Sequence, residues 1–92
     1  MEYHIIIIEP VAEADLKNIY DYICQNDSCQ KAKSFLTKLQ KAIETLSFMP
    51  YRCRNSLYID DGKTKDLIYH GYTICYHIDG ENVHIVAVFR QR

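Results

Sequence analysis

At 92 residues, with 48% hydrophobic and 25% charged side chains, three glycines and two prolines, the composition is that of one small globular domain, and it excludes disorder, low complexity and a repeat array. A formal net charge of −1 supplies no bulk attraction to nucleic acid or to an anionic membrane. The apolar run Ile5-Ile6-Ile7-Ile8 follows an acid rather than a cationic segment, and no stretch reaches membrane-spanning length, which predicts a cytoplasmic protein with no signal peptide. In that compartment Cys24, Cys29, Cys53 and Cys75 are expected as reduced thiols. The spacing between Cys24 and Cys29 is not that of a zinc-ligand pair, so no metal is expected.

Tyr3 to Glu9 reads as a strand, rich in β-branched residues and closed by Pro10, which cannot continue a ladder. From Val11 to about Gln25 the set Leu16, Ile19, Tyr20, Ile23 repeats with helical spacing, and Asn26-Asp27 breaks it. Ser28 is a suitable N-cap for a second helix, whose stripe Ala32, Phe35, Leu36, Leu39, Ile43, Leu46 runs until Pro50. Tyr51 to Gly62 has no periodicity and contains the turn signal Asp60-Asp61-Gly62. Lys63 to Tyr69 then reads as a strand. Tyr72 to Ile78 alternates as a second, and Asp79-Gly80 turns the chain into a third over Asn82 to Arg90. The order β-α-α-β-β-β predicts an α+β fold with a helical hairpin packed on one face of an antiparallel sheet.

Strict alternation puts Tyr72, Ile74, Tyr76, Ile78, Val83, Ile85, Ala87 and Phe89 under the helices. Thr73, Cys75, His77, His84, Val86, Val88 and Arg90 then share the opposite face, which no remaining element covers. The isoleucine run fits poorly with a sheet that has one solvated face, since such strands alternate. An apolar surface left open in so small a chain predicts a partner.

Three groups of side chains are candidates for function. His77 and His84 are expected side by side across the hairpin, on the face of Arg90, where two imidazoles could serve as general acid and base; the plain alternative is a cross-strand pair expected from geometry alone. All the arginines, Arg52, Arg54, Arg90 and Arg92, lie in the second half of the chain, as suits bidentate binding of phosphate or carboxylate, with solvated surface charge as the other reading. Tyr51, Tyr58 and Tyr69 stand among Arg52, Arg54, Lys63 and Lys65, a basic and aromatic mixture that could stack bases and hold phosphates, though the same composition also suits a protein interface. Tyr20, Tyr72 and Tyr76 read as core tyrosines, and His4 and His70 as surface residues.

The segments IIIIEPVAEADLKNIYDYI, AKSFLTKLQKAIETLSFMP and KDLIYHGYTICYHIDGENVHIVAVFRQR, in this order, resemble the RelE/ParE superfamily of toxins from type II toxin-antitoxin modules. The resemblance implies a microbial ribonuclease-like fold, no cofactor, and a cognate antitoxin that wraps the sheet and helices. It also implies one of two activities: cleavage of mRNA in the ribosome by a RelE-like toxin, or inhibition of DNA gyrase through binding by a ParE-like one. In the ribonuclease branch Arg90 falls where a phosphate-stabilising arginine often stands, and Lys63 and Lys65 lie in a strand that carries basic residues. Thr73 departs from that branch, which usually places an arginine directly after the Gly-Tyr pair, and losing one such donor commonly costs about a hundredfold in rate. The chain also ends at Arg92, short of the tyrosine that some members carry. A degenerate, non-toxic member and a stand-alone RNA-binding module are the alternatives.

Overall fold

The computed structural model describes residues 3–57, 59 and 61–90; Arg92 and Tyr58 therefore lie outside the described residues. Pro10, which has no N–H to give a ladder, stands where strand β1 (Ile5–Ile8) passes into helix α1 (Pro10–Asn26), and its fixed φ suits the first helical position. Ser28 caps helix α2 (Cys29–Glu44) as expected, its hydroxyl accepting from the Lys31 amide at 3.1 Å. Two 3₁₀ turns, Thr45–Ser47 and Pro50–Arg52, lead to the two-residue strand β2 (Arg54–Asn55), which no periodicity announces. Strands β3 (Lys65–Tyr69), β4 (Tyr72–Asp79) and β5 (Asn82–Arg90) follow. His70 and Gly71, with φ of 45° and 85°, supply the two left-handed residues that a tight β3–β4 hairpin requires.

The sheet runs β1-β5-β4-β3-β2, and β1 pairs with β5 in parallel. The expected all-antiparallel sheet is thus corrected to a mixed one. A continuous apolar run marks a parallel strand where both faces are covered, but β1 is an edge strand with Ile5 and Ile8 exposed, and its direction is set by its pairing with β5, far along the chain. Ile6 opposes Val83 and Ile8 opposes Ile85 beneath the helices, which leaves Ile5 and Ile7 on the other face.

Helices α1 and α2 cover one face. Ala12, Leu16, Ile19, Leu39, Ile43 and Leu46 pack there on Ile74, Tyr76, Val83, Ile85 and Val88, all of them buried. The Tyr76 hydroxyl, expected at the rim, is buried and donates to the Pro50 carbonyl at 2.6 Å. Val88 was expected on the opposite face and Ala87 and Phe89 under the helices. A β-bulge reverses the three. The register passes from Tyr76 opposite Ile85 to Cys75 opposite Ala87, so Val86 is one residue too many for β4, and everything after it changes face. The bulge is held from the helix side, where the Val88 amide donates to Asp15 Oδ2 at 3.0 Å. We expect Asp15→Ala, which strips a part-buried amide of its acceptor, to lower stability by about 1–3 kcal/mol. The midpoint of denaturant unfolding measures this, and an unchanged midpoint would show that water replaces the carboxylate.

Two further expectations are corrected. The face opposite the helices is covered at its β3–β4 end, where Thr64, Asp66, Thr73 and Cys75 are buried. Ser56 and Leu57 reach over it, and the Leu57 amide donates to Asp66 Oδ2 at 3.1 Å. Cys24 and Cys29, expected as thiols, form a disulfide across the α1–α2 turn, because that turn brings their Cα atoms to 4.1 Å. Cys53 and Cys75 are free. Among the described residues no helix is long and apolar enough to cross a membrane.

Candidate functional site: a groove between the first helix and the last strand

Arg90 lies opposite Tyr72 at the end of the sheet, and the bulge at Val86 has carried it to the helix side rather than to the open face expected for it. Its Nη1 donates to the Tyr22 hydroxyl at 3.2 Å, and the guanidinium carbon stands 5.8 Å from the centre of the Tyr22 ring. Tyr22 belongs to the last turns of α1 and is half exposed. Together with Asp15, Asn18, Ile19, Tyr72 and Val88 these two residues line a groove of about 230 Å³. The groove has an apolar floor and a rim with an exposed cation at one end and a carboxylate engaged by the Val88 amide. Asp15, Asn18 and Tyr22 were not singled out in the sequence. The signal was there, since with Ile19 they have the i, i+3, i+4, i+7 spacing of one helix stripe, and the stripe is continuous with the core face.

The candidate catalytic residues do not converge. Lys65 is on the helix side of the sheet, opposite Tyr76 and four residues along β4 from the partner of Arg90. Its Nζ donates to the Cys53 carbonyl at 3.3 Å and to Asn55 Oδ1 at 3.4 Å. His77 and His84 are cross-strand neighbours as expected, with ring centroids 4.9 Å apart and planes 19° from parallel. They lie on the opposite face of the sheet from Arg90 and Lys65. His84 Nδ1 is 2.6 Å from Glu9 Oε1, a partner invisible in the sequence because it depends on β1 lying alongside β5. Thr73 is fully buried between Ile68 and Phe89 on the neighbouring strands, and its hydroxyl finds no partner among the described residues.

The basic residues of the mixture lie around the β2–β3 edge, but its tyrosines do not join them: Tyr69 packs against Phe35 and Tyr51 against His4, and Tyr58 lies outside the described residues. Arg52 Nη2 donates to the Thr45 hydroxyl at 2.9 Å, and Arg54, exposed in β2, stands opposite Asp66. Lys63 is not in a strand. It is in a turn ordered by Asp61, whose carboxylate accepts from the amides of Lys63 and Thr64 and from the Thr64 hydroxyl, at 3.0, 2.7 and 2.7 Å. The Thr64 hydroxyl and then the two amides hold the Asp61 carboxyl down at about 2, from an ordinary 3.8. A lowered folded-state value means that this turn's contribution to stability is complete above about pH 4 and is lost as pH falls through about 2. Carbon-detected titration of Asp61 should give a midpoint near 2, and one near 3.8 would mean that the turn is not held in solution.

On the far side, Tyr3 packs edge-on against Phe48 with centroids 4.8 Å apart, and His4, half-buried rather than on the surface, meets the Tyr51 ring at 6.0 Å. Ile5 and Met49 extend this exposed apolar patch beside the free edge of β1.

Two helices over a five-stranded mixed sheet, with an aromatic and arginine groove at one end, define a small α+β domain. Its backbone superposes on that of a chain in the chromosomal ParDE toxin-antitoxin system from P. aeruginosa with a TM-score of 0.85 at 15% identity, covering 98% of each chain. A chain of the RelBE2 toxin-antitoxin complex from Mycobacterium tuberculosis matches with a TM-score of 0.72 at 21% identity, over 99% of this chain and 94% of that one. At such identities the likeness is one of fold. No curated protein matches this chain in sequence. Residues 6–92 match the family described as the ParE toxin of the type II toxin-antitoxin system parDE, and the chain belongs to that family.

Proposed function

We propose that this toxin acts as an inhibitor that binds a protein target, in the ParE-like manner with DNA gyrase as that target, and that it does not cleave mRNA. The observation that carries this reading is the division of the candidate catalytic residues between the two faces of the sheet: Arg90 and Lys65 on one, His77 and His84 on the other. Cleavage by a metal-free ribonuclease needs acid, base and phosphate-binding cation within hydrogen-bond reach of one scissile bond. Thr73, where an arginine would help, has no route to a phosphate from its buried position. A half-exposed tyrosine beside an exposed arginine over an apolar floor has instead the residue types that dominate protein interfaces.

The same features support a cognate antitoxin in the cytoplasm as the resident partner. It would cover the patch of Tyr3, Ile5, Phe48 and Met49 and set an acidic side chain against Arg90, so that neutralisation and occlusion coincide. Growth of bacteria after induction of the chain alone, with supercoiling and message integrity followed in parallel, tests the proposal. The expected result is arrested growth with inhibited gyrase and intact messages, reversed by the antitoxin. Cleaved messages with unaffected supercoiling would overturn it. Normal growth at verified expression would favour a degenerate member.

A further inference from the structure

We propose that Cys24 and Cys29 are a redox-active pair that exchanges with small thiols and disulfides, and that the bonded form locks the end of the helical hairpin that carries Tyr22. The pair closes the short turn between α1 and α2, which holds the two Cα atoms 4.1 Å apart. Cys29 is exposed and is the first residue of α2, directly after the Ser28 cap. At that position the unpaired amides of the first turn favour a thiolate, which makes Cys29 both a reachable sulfur and a stable leaving group. Cys24 is half-buried in the last turn of α1.

The remaining cysteines supply a contrast within the same chain. Cys75 is buried and hydrogen-bonded to Asp66 at 3.2 Å, and burial followed by that carboxylate pushes its thiol up to about 12. Cys53 is half-buried against the core. Neither is as exposed as Cys29.

Reduction proceeds in two exchanges. The thiolate of a small thiol attacks the exposed Cys29 sulfur, a mixed disulfide forms there, and Cys24 leaves as a thiolate that takes a proton from water. A second thiol attacks the small-molecule sulfur of the mixed disulfide and releases the Cys29 thiolate. One protein disulfide and two thiols thus become two protein thiols and one small disulfide, and an oxidised small disulfide drives the reverse.

The groove is the part of the molecule that this pair can influence. Tyr22 is two residues before Cys24, its carbonyl accepts from Asn26 Nδ2 at 2.8 Å, and its hydroxyl accepts from Arg90. The bond fastens this last turn of α1 to α2. Without it the turn is a helix end held by the backbone bond of its C-cap residue, Asp27, to Ile23 and by an exposed Asp27–Lys31 ion pair at 3.2 Å, which contributes little.

The purified full-length chain, equilibrated over a series of reduced to oxidised glutathione ratios, quenched, alkylated and peptide-mapped, tests the chemistry. Cys24 and Cys29 should pass together from a disulfide to two alkylated thiols within the series while Cys75 stays a thiol throughout. A pair that remains reduced in excess oxidised glutathione, or bonded in excess reduced glutathione, overturns the proposal. Hydrogen exchange over residues 20–30 tests the lock: the oxidised chain should exchange about tenfold more slowly than the reduced one. Equal exchange in the two states overturns it. A Cys24→Ser, Cys29→Ser double variant should exchange like the reduced chain in both buffers, and a buffer effect that persists in it would assign the change elsewhere and overturn the lock.

Discussion

Arg90→Ala is expected to abolish growth inhibition while leaving the fold intact. The guanidinium is exposed, and its polar contact is with a half-exposed tyrosine, so truncation should cost about 0.5 kcal/mol of stability or less. As the cation at the mouth of the groove, it has the features of an interface anchor, whose truncation weakens binding by about 2 kcal/mol or more, roughly thirtyfold. Isothermal titration of the variant against the isolated target, alongside induced growth and a thermal melt, separates the two effects. Full toxicity from a well-folded Arg90→Ala protein would remove the groove from the inhibiting surface and turn attention to Arg52, Arg54 and Lys63 at the β2–β3 edge.

Ile85→Ala should do the opposite, leaving every surface group in place and removing the support beneath them. Ile85 is fully buried in the middle of β5, with Tyr76 across one side of the ladder and Ile8 across the other. A strand flanked on both sides collapses poorly around a void, so the expected loss is about 2–5 kcal/mol. A chain of this length has in all about 5–14 kcal/mol. Urea unfolding by circular dichroism should show a lowered midpoint at unchanged slope. A loss below about 1 kcal/mol would mean that β1 moves in to fill the space, as an edge strand with only one neighbour can.

The helices, their cap and their buried stripes follow from neighbours in the chain. Leu16, Ile19 and Ile23, then Ala32, Phe35, Leu39 and Ile43, announce their faces because helical spacing is a local property, and Ser28 caps α2 through a residue three positions away. The same holds for the β4–β5 hairpin and for the pairing of His77 with His84, both set by one turn.

What escaped depends on groups distant in the chain. Which strand β1 joins is settled across 77 positions, from Ile5 to Asn82, and it alone brings Glu9 to His84. The bulge at Val86 is supported by Asp15, which accepts from the amide of Val88, 73 residues later, so no alternation within β5 could reveal it. Because side chains on a strand have a period of two, that single extra residue moved Val88 under the helices, turned Ala87 and Phe89 away from them, and carried Arg90 from the face of the histidines to the groove beside Tyr22. The arginine was legible as a residue of consequence. Its neighbours were not, since a strand ladder transmits a register error over its whole remaining length.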